Sequence, residues 1–279
     1  MKQWIIGTAA LLSLASCNGE KEKENSDGSD LKTDTLITVH DEYKKAKATK
    51  TDAIFDDFLL SFATDSVTQW SRTHFPLSYT VNGNKREFTP QKWKMDKLFS
   101  GEDLYTIIFN TENDLDLPTH TDLQQGSFEW IMPETQVIKR YNFKRNDQQA
   151  WILNDIEQFP ISESCNADFL EFYQRFSTNV DFQKKHVKNS IVFVTNFTDD
   201  NDGFSTDRFT VDADQFIAWN VPMPTKYLTN IVYGPSCKDK DPSLKILCIK
   251  AMDGAFFKAL YFRKNRAEWQ LYKYEDTAY

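Results

Sequence analysis

Two stretches of this chain carry the same comb of large apolar side chains. In residues 52–65 the comb is Phe55, Phe58, Leu59 and Phe62; in residues 166–179 it is Phe169, Phe172, Tyr173 and Phe176. Spacing of i, i+3, i+4 and i+7 defines one face of an amphipathic helix. The two stretches align without a gap, and Gln69 meets Gln183 in the same register. Asp52 and Asn166 are residue types suited to N-capping, so the pattern predicts a helix opening at each. Elsewhere the alternation has a period of two. Phe143-Lys144-Arg145-Asn146 followed by Trp151-Ile152-Leu153, and Phe262-Arg263-Lys264-Asn265 followed by Trp269-Gln270-Leu271, read as β-hairpins around polar turns. Residues 77–81 run into Asn82-Gly83, a tight-turn signal; residues 191–197 run into the acidic stretch 199–203 at the corresponding place. Further strand-like runs follow at 105–109, 128–132 and 137–143, and in the second copy at 228–233, 244–249 and 255–262.

The offset between the copies is about 114 residues, too long for a solenoid repeat and the size of a domain. The pattern therefore predicts an α+β fold of two tandem homologous domains, residues 52–160 and 161–279, joined near Phe159–Ser164. Each is expected to pack an N-terminal helix or helix pair on a curved, mostly antiparallel sheet.

The beginning of the chain has a different character. Lys2 and the apolar run Trp4–Leu14 lead into Leu14-Ala15-Ser16-Cys17. A run of about eleven apolar residues fits the core of a signal peptide and is too short to span a bilayer. The arrangement resembles a bacterial lipoprotein signal: residues 1–16 are removed and Cys17 carries acyl chains that hold the protein to a membrane. The alternative is an ordinary secretory signal that contains a cysteine. Residues 17–51 then form the lipidated cysteine and a polar tether, too poor in apolar side chains to fold alone. Within it, 36–39 reads as a short strand and 41–50 as a loose helix. The expected location is the cell envelope, anchored to the outer membrane on its periplasmic side or at the cell surface. An acidic tract after Cys17, similar to surface-export signals of some Gram-negative lipoproteins, bears on that choice.

With 33 Lys+Arg against 41 Asp+Glu, a net charge of −8 and no basic stripe, nucleic acid is a poor partner. Forty per cent hydrophobic residues and 22 phenylalanines indicate a packed interior rather than disorder. Beyond Cys17 the cysteines are Cys165, Cys237 and Cys248. Cys237 and Cys248 flank a polar loop, which allows a disulfide in an oxidising compartment; Cys248, inside an apolar run, reads equally as a buried small residue.

The phenylalanine comb, the stretch Arg72-Thr73-His74-Phe75-Pro76-Leu77 and the lipobox together resemble an uncharacterised lipoprotein family of gut Gram-negative anaerobes. That resemblance covers nearly the whole mature chain. It implies domains similar to the nuclear transport factor 2-like fold, a cone of helices wrapped by a curved sheet. In the wider fold the cone mouth holds a ligand or an acid–base pair, or the domain only binds or dimerises. The family brings no established activity.

Motifs for zinc, serine nucleophiles, nucleotide phosphates and dinucleotides are missing, so no catalytic residue, metal or cofactor is assigned. The four histidines, at 40, 74, 120 and 186, are scattered. Placing Gly203 in a calcium loop puts Thr198 and Phe209 where acidic ligands are needed. An acid–base pair would need a carboxylate raised by an apolar pocket and a tyrosine donor; Asp103 with Tyr105, or Asp57, are the candidates. Arg72 at a presumed mouth offers an anion site or a structural ion pair. Trp93, Trp130 and Trp219, with Tyr105, offer flat anchors for a protein or small-molecule ligand, or are core. The expectation is a membrane-anchored lipoprotein that binds rather than catalyses. The rivals are an enzyme with a cone-shaped pocket and a structural subunit of a surface assembly.

Overall fold

The computed structural model describes residues 43–198, 204–235 and 243–278. The strand expected at 36–39, the turn at 199–203 and Cys237 lie outside them, and of the loose helix at 41–50 the described residues show one turn at 43–45 and, at Lys50, the start of a 3₁₀ turn, Lys50–Ala53.

The first half runs α1 (Phe55–Thr64), α2 (Ser66–Ser71), β1 (Thr73–Val81), β2 (Asn84–Phe88), β3 (Leu104–Phe109), β4 (Gln125–Met132), β5 (Val137–Arg145) and β6 (Trp151–Pro160). The second runs α3 (Ala167–Thr178), α4 (Val180–His186), β7 (Val187–Thr198), β8 (Phe204–Asp212), α5 (Ala213–Ala218), β9 (Leu228–Tyr233), β10 (Leu244–Ala251), β11 (Phe256–Asn265) and β12 (Glu268–Ala278). Both halves are a helix pair followed by six strands. In both, the first strand lies parallel to the last and the other neighbours are antiparallel. The turn after β1 is tight, as its Asn-Gly demands: Asn82 and Gly83 both have positive φ, 46° and 79°, where glycine costs nothing.

The combs pack alike. Phe55, Phe58 and Phe62 surround Phe143 at ring distances of 5.8, 5.6 and 5.2 Å. Phe169, Phe172 and Phe176 surround Phe262 at 5.3, 5.6 and 5.2 Å. Edge-on and tilted contacts of this kind are favoured by the ring quadrupoles. Helix entry differs from expectation. Ile54, not Asp52, precedes α1, because the Asp52 carboxylate is drawn inward to an arginine. Asn166 does precede α3 but makes no side-chain cap bond; its oxygen accepts from Lys245 Nζ at 2.6 Å.

The halves are not separate bodies. One sheet has the order β2-β1-β6-β5-β4-β9 and the other β8-β7-β12-β11-β10-β3. Each half therefore lends its third strand to the other's sheet. The expected boundary at 160/161 divides the order of elements but not the sheets. The interior follows the exchange. The core around Phe143 takes Ile231, Tyr233, Ile246 and Cys248 from the second half, and the core around Phe262 takes Ile108, Ile131 and Ile138 from the first.

Residue chemistry explains why the strands cross over. Beside β4, Asn230 of β9 pairs with the buried Glu129, and its Nδ2 donates to that carboxylate at 2.9 Å. Beside β10, Ile107 of β3 pairs with the buried Cys248. Returning each strand to its own half would set Ile107 against Glu129 and Asn230 against Cys248; the buried carboxylate would keep Arg140 at 2.7 Å but lose the amide donor on its other oxygen.

The two borrowed strands meet at Thr106 and Thr229. Each lies two residues before the isoleucine, Ile108 or Ile231, that pairs with Leu247 or Phe128. Each backbone N–H donates to the other's hydroxyl, at 2.6 and 2.8 Å. Each hydroxyl donates to the other's carbonyl, at 2.6 and 2.9 Å. Thr229→Val removes one hydroxyl and leaves the buried Thr106 N–H unpaired, so stability is expected to fall by about 1–2 kcal/mol in denaturant unfolding. A change within error would mean that the knot is incidental.

Candidate functional site

The cone floors are filled. The combs that were expected to face the core do so, and Phe58, Phe62, Phe169 and Phe176 are all essentially inaccessible. Differences between the units arise at the rims.

At the first rim the side chains close the opening. Tyr79 stacks on Phe88 at 5.7 Å and its hydroxyl donates to Gln158 at 2.7 Å. Trp93 packs edge-on between Phe75 and Phe88, at 6.5 and 6.4 Å. Buried Gln69 fixes the loop below: its Nε2 donates to Phe62 O and Asp96 O, and its Oε1 accepts from Asp96 N. The Asp96 carboxylate then receives the Tyr141 hydroxyl and the Lys139 ammonium at 3.2 Å. Burial, followed by the negative charge of Asp96, pushes the Tyr141 hydroxyl far above the ordinary tyrosine value, so it acts as a fixed donor.

The second rim is open. Phe193 carries Phe209 at 4.9 Å and Trp219 at 4.7 Å, with Tyr274 stacked beneath at 5.5 Å. Phe209 is 43% exposed and Trp219 42%. β8, which bears Phe209, is the last strand of its sheet.

The residues singled out from sequence are thus dispersed. Trp219 lies on the open rim. Trp93 is core, at 9% exposure. Trp130 is half-buried, edge-on to Phe128 and Tyr227 at 5.7 and 5.2 Å. Tyr105 rests on Phe99 at 5.1 Å, and burial pushes its hydroxyl up to about 12. Arg72 is not an anion site. It is buried and forks onto Asp52, Nη1 to Oδ1 and Nη2 to Oδ2, both at 3.0 Å. Cys17 lies outside the described residues.

The proposed Cys237–Cys248 bridge is not formed. Cys248 is a free, buried thiol, pushed up to about 12 by burial. It sits mid-strand in β10, its neighbours Ala259 and Ile107 on either side, where no loop cysteine reaches. Cys165 is the disulfide-bonded residue.

Several tyrosines donate to carboxylates in this structure, Tyr141 to Asp96 and Tyr227 to Glu102 among them, and in place of the expected pairing of Asp103 with Tyr105 stands one of Asp56 with Tyr233. The Tyr233 hydroxyl donates to both Asp56 oxygens, at 2.8 and 3.1 Å. Burial pushes Asp56 up to about 6, against the opposing effects of that hydrogen bond and of Lys250. On the helical wheel Asp56 falls beside Leu59 and Ala63 at the edge of the apolar stripe, whereas Asp57 points away and is exposed. That edge position was the available signal. The partner, from the far half, had none. The pair joins the two halves, Asp56 on α1 and the buried Tyr233 on β9. Among the described residues no cluster of three metal-ligating side chains occurs, and no helix is long and apolar enough to cross a membrane.

Comparison with known proteins agrees with the architecture. The family described as a domain of unknown function, DUF4348, matches residues 34–276. The crystal structure of an NTF2-like protein from Bacteroides fragilis NCTC 9343 superposes with a TM-score of 0.74 at 38% identity, covering 84% of this chain and 100% of that one. Among curated proteins, none matches.

Proposed function

The chain belongs to the DUF4348 family, and from that premise we propose that it is a lipid-anchored protein of the cell envelope whose paired NTF2-like units form a non-catalytic, protein-binding module. The observation that carries the binding reading is the contrast between the rims. Both floors are packed with phenylalanine, yet one rim presents Phe209 and Trp219 beside a terminal strand. Exposed rings next to an unpaired strand edge are the surface on which another protein's strand adds, main chain giving affinity and rings giving specificity. Two observations support the address: the Leu14-Ala15-Ser16-Cys17 signal, and the Cys165 disulfide, a bond that persists in oxidising compartments.

Anchoring is tested by metabolic labelling with a clickable fatty acid. The wild-type chain is expected to take the label and sediment with membranes, and Cys17→Ala to do neither. Binding is tested in living cells by a photo-crosslinking residue at position 209. A discrete protein adduct that is lost in Trp219→Ser supports the reading. Absence of any adduct, or an adduct indifferent to Trp219, sinks it. The rival, an enzyme built on a carboxylate–tyrosine pair, has as candidates Asp56 with Tyr233 in the seam and Glu102 with Tyr227 beside a cavity of about 310 Å³.

A further inference from the structure

We propose that the base of the second unit is a docking site for a polypeptide segment of a partner protein, independent of the aromatic rim. The reasoning compares the two units at one place: the end of the helix pair together with the turn of the last hairpin.

In the first unit this place is covered by the chain itself. Asn146 Nδ2, in the β5–β6 turn, donates to the carbonyls of Tyr43 and Ala46 at 3.1 and 2.9 Å. Ala48 N–H donates to Gln148 O at 3.2 Å, and Arg72 Nη2, at the end of α2, donates to Lys47 O at 3.0 Å. The Tyr43 ring lies 4.4 Å from that of His74. The hydrogen bonds all engage main-chain groups of the segment. This surface therefore holds residues 43–48, helical at 43–45, chiefly through their main chain, and Ala150 is wholly buried.

Among the described residues the second unit repeats the surface without the cover. Asn265 ends β11 in the same four-residue context as Asn146. His186 ends the helix pair as Arg72 does, since Val187 pairs with Leu271 as Thr73 pairs with Leu153. The chain entering this unit cannot provide the cover. It comes off β6 and is held at the first unit, where Ile161 N–H donates to Gln136 O at 2.9 Å. Residues 265–268 of the turn are exposed. Beside them opens a groove of about 440 Å³ between α3, α4 and the turn, in the range of about 300–1,000 Å³ typical of binding pockets.

The groove is ordered rather than loose. The Phe182 and His186 rings stack at 3.8 Å, and the Arg175 guanidinium lies over Phe182 at 4.1 Å. His186 Nδ1 is committed to Phe182 O at 2.7 Å, which leaves Nε2 as the polar atom of that ring for a ligand. Arg175 and Lys185 share the groove with Glu171 and Glu268. Mixed charge of this kind suits a backbone-reading surface and disfavours a simple anion.

The test uses the full mature chain and, as probe, an end-blocked peptide with the sequence of residues 43–53. Saturable binding is expected, with hydrogen-exchange protection at residues 182–186 and 265–269. Asn265→Ala combined with His186→Ala should bind at least tenfold more weakly with an unchanged circular dichroism spectrum. Trp219→Ser should bind as the wild type does, which separates this site from the rim. Absence of saturation, protection confined to residues 146–150 where the peptide merely displaces the chain's own segment, or unchanged affinity in the double variant would each overturn the proposal.

Discussion

Arg72→Met is expected to destabilise the fold by about 3–5 kcal/mol near neutral pH, the usual result of removing one partner from a buried ion pair. Asp52 is 1% exposed and sits at a junction. Its carboxylate accepts from Thr49 N–H at 2.7 Å and Trp151 N–H at 2.9 Å, besides the Arg72 fork. Its own carbonyl accepts from Arg145 Nη2 and the Trp151 indole, at 2.6 and 3.1 Å. Burial pushes this carboxyl up, but the hydrogen bonds from Thr49 and Trp151 and the charge of Arg72 outweigh it and hold it below the ordinary carboxylate value. Without Arg72, a carboxylate stays buried with neutral donors alone. Guanidinium unfolding at pH 7 measures the loss. The double variant Asp52→Asn with Arg72→Met should recover part of it, because no charge is then stranded. A loss below about 1 kcal/mol would assign the pair the value of a surface contact.

Asp56→Asn is expected to do the opposite and stabilise the protein above pH 6. The native carboxyl titrates at about 6, against an ordinary value of 3.8. Between those two values the native chain keeps a proton that the unfolded chain has lost. Stability from this group therefore falls as pH rises through that window and levels off above it. A shift of about two units corresponds to about 3 kcal/mol at most. The groups facing Asp56 are Tyr233 from β9, Lys250 and Cys248 from β10, Tyr105 from β3, and Asp57 on its own helix. Asparagine keeps an acceptor for Tyr233 and removes the charge. Unfolding of the wild type and the variant at pH 4.5 and 7.5 should show the larger gain for the variant at the higher pH. Equal gains at both would place the effect elsewhere than in ionisation.

Much of the architecture was legible along the chain because local periodicity records local burial. The phenylalanine comb marked the helices, and repetition of the Phe-x-x-Asn hairpins marked the pair of strands that closes each half. The Asn82-Gly83 turn followed from the positive φ that those residues tolerate. Cap assignment at Asp52 failed because a carboxylate suited to a helix end is equally suited to an arginine twenty positions away. The bridge between Cys237 and Cys248 failed because proximity in sequence says nothing of a thiol held mid-strand in a core.

By itself, then, the sequence determined the duplication and the α+β class, since each is a pattern among near neighbours. Only the tertiary structure decided which strand completes which sheet, which carboxylate meets a tyrosine, and which of two similar rims exposes its rings among the described residues. Those outcomes depend on pairings more than a hundred residues apart, such as Glu129 with Asn230 and Asp56 with Tyr233. There burial makes an unmatched polar group expensive, and no periodicity along the chain encodes the match.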